Sequence, residues 1–222
     1  DDSLYTKKVA RRMLEMTRHI NKDWKDHVAS TGVTCYTCHK GNPVPANIWF
    51  ADPGPAKNAG VLATNDGLGH PNKTNGSTSL HLDPLTPLLL GKEQIRVAGT
   101  TGLPAKRYGA SIQATEQTYS LMMHMSISLG VNCTFCHNSR SFSDWEQSTP
   151  QRVTAWHGIQ MVRDLNSVYL DPLQSTYPPN RLGPLGDAPK TSCATCHQGA
   201  NKPLLGAQMA KDYPELGGVK AP

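Results

Sequence analysis

Hydrophobic side chains recur every three or four residues in three stretches of the chain, which predicts three amphipathic helices. The first helix covers residues 5–29, the second covers 113–129, and the third runs from Pro150 to about Tyr169. The apolar stripe of the first helix is formed by Val9, Met13, Met16, Ile20, Trp24 and His27. Gly130 follows the second helix directly, where a glycine commonly ends a helix. The pattern therefore predicts a mainly α fold.

The rest of the chain predicts long irregular loops. Residues 41–111 are rich in Gly, Pro, Asn and Thr, and the whole chain contains 19 glycines and 17 prolines. A structureless stretch of this length is unusual in a compact domain, so we expect it to pack over bound groups or against a partner. No run of eighteen apolar residues occurs, and so no transmembrane helix is predicted.

All six cysteines lie in three copies of C-x-x-C-H. The copies contribute Cys35, Cys38 and His39; Cys133, Cys136 and His137; and Cys193, Cys196 and His197. This motif is typical of haem c, in which both thiols form thioethers with the porphyrin and the histidine binds the iron. Three disulfides would leave the three histidines unexplained, and a zinc site would need two further ligands near each pair. A thioredoxin-type pair belongs to a βαβ unit, which the pattern does not predict. The sequence therefore predicts three covalently bound haems.

Haem changes the interpretation of composition and charge. Only 37% of the residues are hydrophobic, so side chains alone would give a thin core. A buried porphyrin adds a large apolar surface, and we expect helix–turn–CxxCH repeats to wrap around a haem core. Each ferric haem with its propionates adds one negative charge, which brings the formal charge of +5 close to zero. The basic composition is therefore no argument for nucleic-acid binding.

We expect residues 1–222 to form a single multihaem cytochrome unit. Its predicted parts are a first haem segment (1–45), a long loop (46–111), a second haem segment (112–140) and a third haem segment (148–205).

The sixth ligand of each iron decides the function. A haem with two protein ligands passes electrons, whereas an open iron can activate small molecules. The helix before the first motif offers Met13 or Met16, and the helix before the second offers Met122 or Met125; spacing does not choose within either pair. No methionine-bearing helix precedes Cys193, so the third haem is a candidate for two histidine ligands. His27, on the inward stripe of the first helix, is one candidate among the histidines outside the motifs.

Several segments of this chain are similar to one known family. They are Tyr5–Met13, Gly32–His39, Gly41–Pro45, Leu121–Met123, Asn132–Asn138, Arg152–Gly158 and Cys193–Gly199. Through them the chain resembles the multihaem cytochrome subunit bound to the photosynthetic reaction centre of purple bacteria. The resemblance implies that Met13 binds the haem of the first motif, Met122 that of the second, and His27 that of the third. The family has four haems, so the resemblance implies a fourth haem segment upstream of Asp1.

The same resemblance implies a function and a location. The protein is expected to be an electron carrier without catalytic residues or a substrate, which re-reduces the oxidised bacteriochlorophyll special pair through a line of haems. The haem of Cys133 and Cys136 would lie nearest the pair. The expected partners are the L and M subunits of the reaction centre and, as donor, a soluble c-type cytochrome or high-potential iron–sulfur protein. The expected site is the periplasmic side of the inner membrane, with peripheral attachment through the reaction centre.

Two alternatives remain open from the residues alone. A multihaem oxidoreductase would need an open iron and an acid/base group, for which His124 or His157 would be candidates. A soluble electron shuttle would need closed irons but no membrane partner.

Overall fold

The computed structural model describes residues 3–54, 80–97 and 111–217, and six α-helices lie in these ranges. They are α1 (Tyr5–Asp23), α2 (Lys25–Val28), α3 (Cys35–His39), α4 (Ile112–Leu129), α5 (Pro150–Asp164) and α6 (Cys193–His197). Short π-helical turns cover Thr86–Leu90 and Leu165–Leu170. Short 3-10 turns cover Cys133–Phe135, Asp171–Thr176, Pro179–Arg181, Pro203–Gly206, Met209–Asp212 and Pro214–Gly217. Within the described ranges no strand forms, and the mainly α prediction is confirmed there.

The first predicted helix is split in two. α1 ends at Asp23, and Trp24 adopts φ −112° and ψ 35° before α2 begins. The Trp24 indole N–H donates to Asp164 Oδ2 at 3.2 Å, which ties this break to the end of α5. The periodicity alone predicted one continuous helix, because the hydrophobic stripe continues through the break. The split lets α2 pack on α5 separately from α1.

The other two predicted helices are confirmed, with one change. α4 begins after Ser111, whose Oγ accepts the Ala114 N–H at 3.1 Å, and ends at Gly130, where φ is 66°. α5 begins with Pro150 at its first position and ends at Asp164. The remaining predicted residues continue from α5 as the π-helical turn that ends at Leu170.

Side chains form two buried clusters around α5. One contains Trp49, Leu85, Leu88, Leu89, Leu121, Ile159 and Val162. The other contains Ile20, Met161 and Leu165. Residues 84–90 belong to the region predicted as a long loop, but Thr86–Leu90 forms a π-helical turn whose leucines join the first cluster. Arg163 Nε and Asn166 Nδ2 anchor it by donating to the carbonyls of Leu88 at 2.8 Å and Leu89 at 2.9 Å.

A buried polar network sets the chain that leads into the third motif. Trp49 and Lys190 form an antiparallel bridge, and the Trp49 indole N–H donates to the Thr191 carbonyl at 2.8 Å. The Lys190 side chain is 1% exposed and its ammonium lies 2.5 Å from Asp187 Oδ2. Burial alone would raise the pKa of Asp187, but hydrogen bonds from Lys190 and the Ala51 N–H lower it overall. This charged pair fixes the backbone three residues before Cys193.

Candidate haem sites

The first and third motifs form short helices of the same design, α3 and α6. In each, the threonine between the two cysteines accepts the backbone N–H of the residue before the first cysteine. These bonds run from Thr34 to Thr37 and from Ser192 to Thr195, both at 2.9 Å. Each helix then ends in the left-handed region, at Lys40 (φ 47°) and Gln198 (φ 50°). Each of the two motifs therefore presents its two cysteines and its histidine on the same backbone conformation.

Every motif histidine is held by its Nδ1. The acceptors are the Asn42 carbonyl for His39 at 2.9 Å, the Phe142 carbonyl for His137 at 3.0 Å and the Ala200 carbonyl for His197 at 2.9 Å. Because a carbonyl only accepts, Nδ1 carries the proton and the lone pair of a neutral ring stays on Nε2. Burial lowers the pKa of His137 and of His197, against the opposing effect of these bonds. The rings are thus oriented and protonated as metal-binding imidazoles are.

The second motif has a different backbone conformation. Cys133–Phe135 forms a 3-10 turn in which Asn132 Oδ1 accepts the Thr134 N–H at 3.1 Å. Thr149 Oγ1, immediately before α5, donates to the Phe135 carbonyl at 2.6 Å. The motif is therefore fixed between the end of α4 and the start of α5.

The second and third motifs approach each other through glycine backbones. The Gly199 N–H donates to the Ser128 carbonyl at 2.7 Å, and a Cβ placed on Gly130 would collide with the Gly199 carbonyl oxygen. Gly130 also has φ 66°, where a side chain is disfavoured, so the conformation favours glycine and the close approach requires it. The close approach sets the distance between the two motifs.

The first and third motifs also touch. The Gln198 side-chain amide donates to the Cys38 carbonyl at 3.5 Å, and the structure pairs Cys38 with Cys196 as a disulfide, with 4.3 Å between the Cα atoms. The other four cysteines form no disulfide. A disulfide sulfur cannot also form a thioether, so this pairing competes with haem attachment at these two positions. Sequence spacing gave no sign that the two motifs meet.

His27 lies opposite the histidine of the third motif. The ring centroids of His27 and His197 are 6.0 Å apart, with 64° between the ring planes. Metal–imidazole bonds are about 2 Å long, so two imidazoles on opposite sides of one metal ion have centroids about 6 Å apart. The separation of this pair, brought together from the two ends of the chain, fits a shared iron.

Helix α5 provides the contacts that hold the His27 ring. Its Nδ1 donates to the Thr154 carbonyl at 2.9 Å, in the manner of the motif histidines. Burial lowers the pKa of His27, opposed by this bond and aided by the nearby charge of His157. The neutral ring therefore keeps its lone pair on Nε2.

The remaining described histidines have other surroundings. His19 contacts a carboxylate with each ring nitrogen, Asp23 at 2.8 Å and Asp164 at 2.5 Å. His81 Nδ1 accepts the Asp83 N–H at 3.2 Å. His124 is buried, with Nε2 3.4 Å from Ser128 Oγ, and His157 Nδ1 lies 4.0 Å from Asp26 Oδ2. His70 lies outside the described residues. His27 combines an Nδ1 bond to a backbone carbonyl with a ring that faces a motif histidine.

The methionine candidates differ in their packing. Met16 packs against the cluster of Ile20, Met161 and Leu165, whereas Met13 is half-buried and belongs to neither buried cluster of the described ranges. α1, which carries both residues, contacts α3. Met122 and Met125 both pack against the larger cluster. The choice of Met13 and of Met122 as axial ligands therefore rests on the resemblance.

A protein-only metal site is not apparent in the described part of the chain. No group of three or more His, Cys, Asp or Glu side chains there could hold a metal ion. The histidines instead offer single imidazoles and one facing pair, which suits a metal already held by a porphyrin.

Comparison with known proteins decides the family. The family model described as photosynthetic reaction centre cytochrome C subunit matches residues 1–217. The chain belongs to this family. Relatives named photosynthetic reaction center cytochrome c subunit come from Rubrivivax gelatinosus (55% identity over 216 residues), Thermochromatium tepidum (54% over 215) and Roseobacter denitrificans (47% over 231). The alignments cover 97%, 97% and 100% of this chain, so the resemblance seen in short segments extends along its whole length.

The chain spans between half and two thirds of the length of these relatives: 59%, 52% and 62% in the same order. None of the helices in the described ranges combines the length and the apolar character needed to cross a membrane.

Sequence reasoning missed the residues of α5 that hold the His27 ring in position. The segment Arg152–Gly158 was part of the resemblance, but that resemblance implied no role for the Thr154 carbonyl or for Gly158. A glycine in the middle of an amphipathic helix was the available signal, because it disfavours the helix and calls for a packing reason.

Proposed function

We propose that this chain is an electron-transfer module that re-reduces the oxidised special pair of a photosynthetic reaction centre through three c-type haems. The supporting observation is the pairing of His27 with His197, together with the Nδ1 bonds that orient both rings. A haem iron with a protein ligand on each side of the porphyrin can exchange electrons but has no free coordination position for a substrate. The proposed role is therefore that of a carrier and not that of an enzyme.

Each haem is assigned to the residues of its motif and one axial partner. Cys35, Cys38 and His39 would hold the first haem, with Met13 as its second ligand. Cys133, Cys136 and His137 would hold the second haem with Met122, and Cys193, Cys196 and His197 the third haem with His27. When bound, haem supplies reversible one-electron chemistry at iron. The chain supplies the imidazole orientation, the exclusion of water and the choice of axial atom.

The choice of axial atom sets the order of potentials. A thioether sulfur raises the reduction potential of a haem relative to a second imidazole. The two methionine-bound haems would therefore lie above the bis-histidine haem. Hydrogen bonds hold the motif regions together: the Gln198 side-chain amide joins the third motif to the first at Cys38, and the Gly199 N–H joins it to the helix before the second motif at Ser128. The three haems would therefore lie close to one another. When haems are close together, an electron can pass through a haem of lower reduction potential, provided that the whole transfer from donor to acceptor is favourable.

The partners follow from the family and are part of the proposal. The chain would sit on the periplasmic face of the L and M subunits and receive electrons from a soluble c-type cytochrome or a high-potential iron–sulfur protein. Its attachment to the photosynthetic membrane would be peripheral, through the reaction centre. Three haems would belong to the three motifs of this chain.

Flash spectroscopy of the isolated complex with its reaction centre tests this function. After one flash, we expect a haem absorbance change in the ferrous-to-ferric direction that matches the re-reduction of the pigment pair in rate and amount. The control is the same complex with the haems oxidised beforehand. There the oxidised pair should recover only by charge recombination with the reduced acceptors of the reaction centre. Recovery of the pair without haem oxidation in the reduced sample would contradict the proposal.

The state of the six cysteines gives an independent prediction. If every motif carries haem, no cysteine of the denatured holoprotein can be alkylated, with or without a reductant. Its intact mass should exceed that of the chain by three haems. A disulfide between Cys38 and Cys196 that persists in the holoprotein would instead give two alkylated cysteines after reduction and a lower haem content. Mass spectrometry of both samples separates the two results.

A further inference from the structure

Gly158 occupies an unfavourable position for a glycine. It lies in the interior of α5, four residues after Thr154, and is buried. A glycine in a helix interior costs about 1 kcal/mol relative to alanine. Some contact that an alanine methyl group would prevent must therefore account for it.

The His27 ring fills the space where a side chain would be. A Cβ on Gly158 would lie 2.5 Å from Cε1, 2.8 Å from Nδ1 and 3.1 Å from Nε2 of His27. Three atoms of one imidazole thus lie against the bare backbone of the helix. At the same time Nδ1 donates to the Thr154 carbonyl, one helical turn earlier, at 2.9 Å. The hydrogen bond fixes the position of Nδ1, and the contact with Gly158 limits where the rest of the ring can lie.

These two contacts restrain the ring in different ways. The hydrogen bond alone would leave the ring free to rotate about the Nδ1–carbonyl direction. Contact with Gly158 restricts that rotation, while the facing ring of His197 is held separately by the Ala200 carbonyl at 2.9 Å. The 64° angle between the two ring planes is thus set by α5 on one side and by the turn after α6 on the other. Such outer contacts orient metal ligands and tune the metal.

We propose that Gly158 is a positioning residue that sets the plane and approach of the His27 imidazole on the iron of the third haem. This inference rests on the proposed bis-histidine ligation. In a ferric haem the angle between two axial imidazole planes governs the splitting of the iron d orbitals. That splitting determines the largest g value of the low-spin resonance signal. The spectrum of the third haem therefore reports the position of the ring directly.

The test compares Gly158→Ala with Gly217→Ala in the holoprotein. Gly217 is the matched control because a Cβ there meets no atom of the described residues within 4 Å. In Gly158→Ala we expect the bis-histidine haem alone to change, with a shifted largest g value and midpoint potential, or with new carbon monoxide binding if the ring is expelled. The methionine-bound haems should keep their signals, and Gly217→Ala should match the parent. A parent spectrum and potential in Gly158→Ala, with only a gain in thermal stability, would overturn the proposal.

A double-mutant cycle covers the case in which Gly158→Ala assembles poorly. If the methyl group acts through the ring, Gly158→Ala should lower haem loading when His27 is present and should be neutral or stabilising in a His27→Ala background. Equal losses in both backgrounds would show a purely structural effect and overturn the proposal. Failure of the underlying ligation looks different: His27→Ala would then leave the third haem unchanged. A change in His27→Ala with no change in Gly158→Ala would overturn the role of Gly158 and keep the ligation.

Discussion

Replacing His27 by alanine is expected to open one haem per chain to carbon monoxide, and that haem is the one attached to Cys193 and Cys196. The two segments are far apart in sequence, but the rings of His27 and His197 are 6.0 Å apart. Loss of one axial imidazole leaves a five-coordinate iron, which is high-spin and binds small ligands. The low-spin signal of the bis-histidine haem should disappear while the other haems keep theirs.

His157→Ala is the matched control for this experiment. His157 lies on α5 next to Gly158, and its Nδ1 lies 4.0 Å from an Asp26 carboxylate oxygen. It contributes to the electrostatic surroundings of His27 but has no place in the proposed coordination. We expect no new carbon monoxide binding in His157→Ala. If His27→Ala keeps all low-spin signals, the assignment of this ligand is wrong, whatever happens in the control.

Replacing Met122 by histidine should lower the midpoint potential of the second haem by on the order of 0.1–0.2 V, a modest part of the roughly 0.8 V range that axial ligands control. A thioether stabilises ferrous iron, and a second imidazole removes that preference while keeping the iron closed. The resemblance implies that the second haem lies nearest the pigment pair, so the rate at which the pair is re-reduced should change as well. Redox titration gives the potential, and flash spectroscopy gives the rate.

Met125→His is the informative companion, because Met122 and Met125 lie on the same helix and pack against the same buried cluster. The resemblance assigns Met122, so Met125→His should leave the potential of the second haem unaltered, at some cost in stability from the buried polar ring. A lowered potential in Met125→His with an unchanged one in Met122→His would transfer the ligand to Met125.

Local features were predictable from sequence because they depend on neighbouring residues. The period of α4, its end at Gly130 and the start of α5 at Pro150 follow from side-chain spacing and from the conformations that glycine and proline favour. The haem motifs are local in the same sense. The choice between Met13 and Met16 is not local, because both lie on the same stripe of α1 and spacing does not separate them. Met16 packs against a cluster that draws residues from α1, α5 and the π-helical turn after α5.

The features that sequence reasoning missed all depend on distant contacts. The break at Trp24 follows a hydrogen bond to Asp164, 140 residues away. The π-helical turn Thr86–Leu90 is held in the core by Arg163 and Asn166 and has no periodicity of its own. The contact of Cys38 with Cys196 joins two motifs that look independent along the chain. A pattern read in windows of one helix carries no information on such pairs.

The most direct test of the account is the electron paramagnetic resonance spectrum of the fully oxidised holoprotein, integrated against its haem content. The account predicts that every haem is low-spin: two signals of methionine–histidine type and one of bis-histidine type for the three motifs of this chain. A high-spin signal that accounts for a whole haem would show an iron without its second axial ligand, and would contradict the account.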